Sequence, residues 1–373
     1  MENYIKNEIL KNPENRITYA HFIEMALYHP IYGYYMQNRA KIGKGEDFYT
    51  NSNMGSVFGD VLGNWFCRLF RDNDLHPAIY ECGAGTGKMA NDLLNRLKMV
   101  DLDLYNSLTY FIIEKSPYHQ KIQSQLTAGH PQVKILATLP ESGWEGILWS
   151  NEYFDAFPVH VIEKQNQQLF EIMVMLEGDQ LKETRQLATD KEIYRYLRDY
   201  NIVLGEGQRI EIPLAMEKEA RRIYGRCNRG LVLSIDYGYR NEEWGRPAAY
   251  RGSLRGYKRH IMLDDVLQQP GSIDITCHVQ WDTLFSLGRT AGMDNHPLMN
   301  QQEFLLASGI LELLEEQASV SNYNPFSPAH KYNRSIAACL NPAGISNYFQ
   351  VALQTKGLST GWPLFEQSIF NSF

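Results

Sequence analysis

The chain has 373 residues, and at roughly 150 residues per domain this predicts one large decorated domain or a domain with a smaller partner. Hydrophobic residues make up 44% and charged residues 21%, a balance that excludes a disordered, collagenous or coiled-coil chain. The formal charge of −7, from 36 Lys and Arg against 43 Asp and Glu, excludes a general basic field, so nucleic acid is not an expected partner. The five cysteines (Cys67, Cys82, Cys227, Cys277 and Cys339) stand far apart without a CxxC pair. They are expected as reduced, buried thiols rather than as a disulfide framework or a zinc or other metal site. The start of the chain, MENYIKNEIL, has neither a signal-peptide core nor transit-peptide character, and no apolar run approaches the ~18 residues of a membrane span. The expected location is the cytoplasm.

Residues 1–75 read as an amino-terminal extension over the site, with a helical pattern around Ile17–Tyr28. An aromatic, glycine-bearing stretch follows, whose punctuation predicts loops. From Gly55 to Phe70 the residues Val57, Phe58, Val61, Leu62, Trp65, Phe66 and Leu69 recur at helical spacing. Next come strand candidates Ala78–Cys82, Thr109–Glu114, Val133–Ala137, Gly146–Ser150 and Leu231–Tyr237, the early ones separated by helical patterns at Met89–Leu97 and Tyr118–Leu126. That alternation predicts an α/β fold with a doubly wound, mostly parallel sheet. The sheet domain is expected to begin at 76–160 and to finish within 227–373, with 161–226 as an inserted substrate or lid subdomain, mostly helical after Lys182. The last third predicts helices around Val279–Leu287 and Gln301–Glu316 and a final strand at Tyr348–Gln354.

The sharpest feature is the strand Ile79-Tyr80-Glu81-Cys82 entering Gly83-Ala84-Gly85-Thr86-Gly87. Glycines there permit a tight turn and let a ligand approach the backbone closely. A dinucleotide fingerprint starting at Gly83 needs glycine where Lys88 stands, and a P-loop ending at Lys88 needs Ser or Thr where Met89 stands. The remaining form, E-x-G-x-G-x-G, is that of S-adenosylmethionine-dependent methyltransferases. Glu114, ending the next strand candidate, offers a carboxylate to both ribose hydroxyls. The cofactor-binding candidates are therefore Glu81, Gly83, Gly85, Gly87 and Glu114.

After the fourth strand candidate comes Asn151-Glu152-Tyr153-Phe154-Asp155-Ala156-Phe157-Pro158-Val159-His160. In open α/β sheets ligands bind beyond the carboxyl ends of the strands, so the methyl acceptor is expected here. Two carboxylates and an amide suit a cationic acceptor, which makes Glu152, Asp155 and Asn151 the catalytic candidates. The competing possibility is that Glu152 and Asp155 cap a helix. His160 is expected to be structural, Asp236 to face the ligand crevice, and Ser253–Tyr257 to form a polar loop over the site or a plain surface turn. The tyrosines of Tyr28–Tyr35 are expected as packing residues.

The combination of GYY (Gly33–Tyr35), Gly43–Phe48, FGDVLGNW (Phe58–Trp65), Glu81–Gly87, NEYFDAFPVH (Asn151–His160), IDYGY (Ile235–Tyr239), SLRGYKRH (Ser253–His260), DITCHV (Asp274–Val279) and QQEFLLASGI (Gln301–Ile310) resembles one family over almost the whole chain. It is the MidA-like family of the mitochondrial complex I assembly factor, a protein arginine methyltransferase. The resemblance implies a class I methyltransferase fold, bound S-adenosyl-L-methionine and a protein arginine as acceptor. A homodimer is a further possibility, and the lack of a transit peptide suggests a bacterial member. Where the family shows T-S-P-E-[IV]-S, this chain has Thr50-Asn51-Ser52-Asn53-Met54-Gly55, so Asn53 brings no charge to that place. The alternatives are methylation of a small molecule and a non-catalytic assembly factor retaining the fold.

Overall fold

A computed structural model describes residues 1–37, 56–258, 261–314, 327–341, 344 and 348–358. The segment Gly43–Phe48, the run Thr50–Gly55, His260 and the end of the helical pattern predicted to reach Glu316 lie outside the described residues. The described residues form two compact units. The first takes in residues 1–37, 152–225 and 237–291; the second takes in 56–151, 226–236 and the described part of 292–358.

The second unit is built on the predicted sheet. Its strands run in the order Val133–Leu136, Thr109–Ile113, Ala78–Cys82, Trp144–Asn151, Cys227–Asp236, Gln350–Lys356. The first five are parallel to their neighbours, and Gln350–Lys356 is antiparallel to Cys227–Asp236. Short strands Asp294–Asn295 and Met299–Asn300 also pair with Gln350–Lys356. Ala78–Cys82 is buried at every position, as the apolar run of a strand covered on both faces requires. It lies between the second and fourth strands, so chain order reverses there and a crevice opens at the strand ends. Helix Val57–Asn73 buries all seven of the apolar residues that its spacing singled out. Helices Lys88–Val100 and Pro117–Leu126 follow the first two strands. Helix Gln301–Ala307 is shorter than its pattern, because Gly309 adopts φ +93°, outside helical backbone. The last strand is shifted to Gln350–Lys356, leaving Tyr348 exposed before it.

The first unit departs further from expectation. Helix Glu2–Lys11 opens it, and Ile17 lies in a short strand, Arg16–Thr18, rather than in a helix. The helix itself is Tyr19–Tyr28, capped by the Thr18 side chain, which accepts from the His21 N–H at 3.1 Å. The insertion is not mostly helical after Lys182, since Lys182 belongs to strand Gln180–Leu187. That strand, with Gln168–Glu177, His160–Gln165, Arg209–Ile212 and Arg16–Thr18, forms a five-stranded antiparallel sheet. Its charged residues imitate a solvated helix face. Instead they pair across strands: Glu183 with Arg209 at 2.8 Å and Arg185 with Glu163 at 2.7 Å. The turn between His160–Gln165 and Gln168–Glu177 places Asn166 and Gln167 at positive φ, the geometry of a two-residue hairpin. Helices Lys191–Asp199 and Leu214–Gly225 complete the insertion.

The amino-terminal segment and the insertion share one core, with Ile5, Ile9, Phe22, Ile23 and Leu27 packed with Val161, Ile172 and Val174. Residues 237–291 join the same unit, through strands Arg255–Lys258, Ile261–Leu263 and Asp274–Thr276 and helix Trp281–Thr290. The expected boundary at 226 falls within one residue of a unit boundary, whereas those at 75 and 160 do not coincide with one. All five cysteines are buried thiols outside any disulfide. No helix among the described residues is long and apolar enough to cross a membrane.

Candidate active site

The chain turns sharply as it leaves Ala78–Cys82. Gly83, Gly85 and Gly87 have φ of +73°, +53° and +82°, a left-handed backbone that side chains with Cβ rarely adopt. Gly83 N–H donates to the Ile113 carbonyl at 3.2 Å and Gly87 N–H to the Ala84 carbonyl at 2.8 Å. Helix Lys88–Val100 begins immediately after, so its free N–H groups face the turn.

Glu114 lies just past Thr109–Ile113, held by its N–H to the Leu136 carbonyl. Its carboxylate is 12% exposed and accepts from the Ser116 N–H at 2.7 Å. Gln123, which the sequence did not single out, joins the two features. Its fully buried amide donates to the Gly85 carbonyl at 2.9 Å and to Glu114 at 3.3 Å. A Cβ on Gly87 would come within 3.1 Å of the Gln123 side chain. A single glutamine inside a polar helix gives no sequence signal of such a task.

Glu81 is buried in a chain of hydrogen bonds, Trp149 Nε1–H to the Tyr110 hydroxyl and that hydroxyl to Glu81 at 2.8 Å. Burial pushes its carboxyl up to about 8, against the opposing pull of Tyr110.

These residues fit an S-adenosyl nucleoside: an open glycine turn at a helix start, with a reachable carboxylate tied to it by Gln123. Glu114→Gln is expected to weaken S-adenosylmethionine binding by about 1–3 kcal/mol, as charge-assisted hydrogen bonds are lost. Calorimetric titration checks this, and an unchanged affinity would make Glu114 only a brace for the helix at Pro117–Leu126.

The acidic run is arranged differently from a capped helix. Asn151 ends its strand in the second unit, aligned with Ile235 of the neighbouring strand. The next residue, Glu152, opens a stretch of the first unit at φ +50°, strained for a residue with a side chain. No helix follows before strand His160–Gln165, so the helix-cap possibility is removed for both carboxylates. Asp155 is 4% exposed and accepts from the Tyr237 hydroxyl at 2.5 Å. Among the described residues no cation pairs with it. Burial pushes its carboxyl up to about 6, opposed by Tyr237 and by the Asp155 and Ala156 N–H groups.

The raised value carries a stability sign. The Asp155 contribution is fully present below the ordinary carboxylate range, near pH 4, and is lost as pH rises through about 6. Asp155→Asn is therefore expected to stabilise the protein at pH 8 by about 1–3 kcal/mol, measured by thermal unfolding against pH. A variant less stable than the parent at pH 8 would contradict this.

His160 sits 2.7 Å from Glu171 on the adjacent strand of the inserted sheet. Asp236 ends its strand and is buried at 1% exposure. Ser253 begins neither a covering loop nor a surface turn. Its N–H and hydroxyl are anchored on the buried Glu211 carboxylate at 3.0 Å, and Arg255–Lys258 is a strand. Tyr34 is a core residue, but Tyr28 and Tyr35 are half-buried, with their hydroxyls bonded inward. Tyr28 donates to the Ala156 carbonyl at 2.9 Å and Tyr35 to Asp274 at 2.6 Å. His278 packs edge-on to Tyr237 and Tyr239. Burial, reinforced by Arg255, holds its imidazole down at about 4, so it is neutral at physiological pH.

Residues 61–299 match the profile of the S-adenosyl-L-methionine-dependent methyltransferase family, more than half of the chain. The "Protein arginine methyltransferase NDUFAF7, mitochondrial" of Danio rerio is 24% identical over 386 residues, covering 93% of this chain and 86% of that protein. The Homo sapiens protein of the same name is 26% identical over 326 residues, covering 79% and 70%. A crystal structure from Burkholderia thailandensis, bound to S-adenosyl-homocysteine, is similar with a TM-score of 0.86 and 25% identity, covering 98% of this chain and 94% of that one. The chain belongs to this methyltransferase family, and its cofactor is S-adenosyl-L-methionine.

Proposed function

We propose that the chain methylates an arginine side chain of a protein. The relatives in Danio rerio and Homo sapiens carry protein arginine methyltransferase as their name. The observation that supports the reading in this chain is Asp155, a buried carboxylate without a described cation, three residues after the strained Glu152. Above about pH 6 Asp155 is ionised, whereas a guanidinium stays protonated with a pKa above 12. A buried negative charge is costly until an opposite charge reaches it, so the site gains most from a cationic acceptor. When bound, S-adenosyl-L-methionine supplies a methyl group on a positively charged sulfur. In this reading Glu152 and Asp155 hold the acceptor cation and set which nitrogen is presented, and Asn151 adds an amide that can orient it.

The test is incubation of cell lysate with the protein and isotope-labelled cofactor, followed by mass spectrometry of the labelled product. The expected result is label on arginine residues of a protein. Label confined to lysine, to a carboxyl group or to a small molecule would overturn the arginine reading while leaving methyl transfer intact. The cytoplasm remains the proposed location, and immunofluorescence or fractionation of the source cells tests it.

A further inference from the structure

Five side chains of the first unit gather near Asp155: Tyr28, Tyr35, Tyr237, Tyr257 and Asp274. Tyr237 bonds Asp155 directly, and Tyr35 bonds Asp274, which is itself buried at 1% exposure. The Cys277 N–H donates to the Asp155 carbonyl at 2.9 Å, bringing the Asp274–Thr276 strand alongside the Asp155 turn. Tyr28 and Tyr35 stack at 5.6 Å between ring centres. Tyr35 and Tyr257 each lie within the electrostatic reach of both carboxylates. Tyr28, Tyr35, Tyr237 and Tyr257 are all half-buried.

Three of these four hydroxyls are committed inward, to Ala156, Asp274 and Asp155. What such phenols leave for a ligand is therefore ring face and edge rather than hydroxyl. A packing cluster would bury the rings and leave the carboxylates outside. Here the order is inverted, since Asp155 and Asp274 are the buried members and the tyrosines the half-buried ones. Aromatic faces over buried negative charge favour a flat, delocalised cation on an apolar stem, which stacks and is weakly hydrated. A neutral ligand of the same shape would leave the Asp155 charge uncompensated.

We infer that Tyr28, Tyr35, Tyr237 and Tyr257, over Asp155 and Asp274, form the recess that takes the guanidinium of the methyl acceptor. The assignment rests on the proposed arginine acceptor and adds where and by what chemistry it is held. Arg255, the nearby cation, is turned onto the Leu254 and Gly252 carbonyls at 2.7 and 3.4 Å. Among the described residues it makes no ion pair with Asp155.

The test uses the full chain saturated with S-adenosylhomocysteine and three probes, the Nα-acetyl amides of arginine, lysine and citrulline, with affinity read by ligand-observed NMR. Arginine is expected to bind at least about tenfold more tightly than citrulline, which has its shape without its charge. Asp155→Asn is expected to erase that preference while raising the melting temperature. Tyr257→Leu, which removes a ring and no carboxylate partner, is expected to weaken arginine about threefold or more and to leave the melting temperature within a few degrees. Equal binding of arginine and citrulline by the parent protein would overturn the recess, as would a preference untouched in the variants. No detectable arginine binding would overturn it too. If either variant fails to fold, the other decides. Arginine bound here while lysate label falls on another group would sink the arginine-methylation reading and spare the recess. Label on protein arginine that survives both variants would do the reverse.

Discussion

Gly85→Val is expected to leave a folded protein whose affinity for S-adenosyl-L-methionine has fallen by about a thousandfold or more, ~4 kcal/mol. Gly85 stands at φ +53°, where a β-branched residue is a steric outlier. Holding valine there costs about 1–3 kcal/mol, so the turn is driven to another shape. The turn cannot change alone. The Gly85 carbonyl is the acceptor for Gln123, and Gln123 also steadies Glu114, so both cofactor handles are disturbed by one substitution. The global fold has little stake in this turn, because the strand before it and the helix after it are anchored by their own burial. Titration calorimetry with the cofactor and with S-adenosylhomocysteine measures the loss, and circular dichroism with thermal unfolding checks the fold. Gly85→Ala, without the branched carbon, is expected to fall between parent and valine. Parental affinity in the valine variant would remove the glycine turn from the cofactor site.

The parts legible in the sequence are those with a local physical signature. Continuous apolar runs such as Ile147–Trp149 announce strands buried on both faces, and Ala78–Cys82 was placed to the residue. The glycine turn was legible because only left-handed backbone asks for three alternate glycines. The inserted sheet is not, because Gln180–Leu187 shows its charges to solvent and satisfies Arg185 on Glu163 and Glu183 on Arg209, partners distant in sequence. Thr18 falls within the helical spacing that starts at Ile17, yet it caps the helix rather than joining it. Tyr35 and Asp274 are 239 positions apart, and no periodicity in either segment records that one donates to the other. Tyr28 and Tyr35 read as packing residues in the sequence, and their partial exposure distinguishes them from the fully buried Tyr34. The apolar strand pattern before them puts the carboxylates of Glu152 and Asp155 at a strand end. It left a helix cap open, which the turn after Asn151 closes.

Glu152→Gln is the substitution that separates charge from shape at that turn. Glutamate and glutamine have the same reach and the same cost at φ +50°, so melting temperature and cofactor affinity are expected to stay at parental values. Methyl transfer to the acceptor protein is nonetheless expected to fall about a hundredfold or more, the scale of losing one preorganised electrostatic group. The argument is one of differential stabilisation. A guanidinium reaches the site already charged, and a carboxylate fixed at the exit of the fourth strand can draw that charge to one nitrogen and away from the nitrogen that reacts. Water could supply a similar dipole only by reorganising during the reaction, whereas a side chain on a strained backbone is already oriented. Glu152→Gly is the companion variant. Relief of the left-handed backbone should stabilise it by up to about 1 kcal/mol while its rate falls with that of glutamine. A rate that survives in both variants would leave Glu152 as a residue tolerated at a turn, and the acidic chemistry would then rest on Asp155 alone.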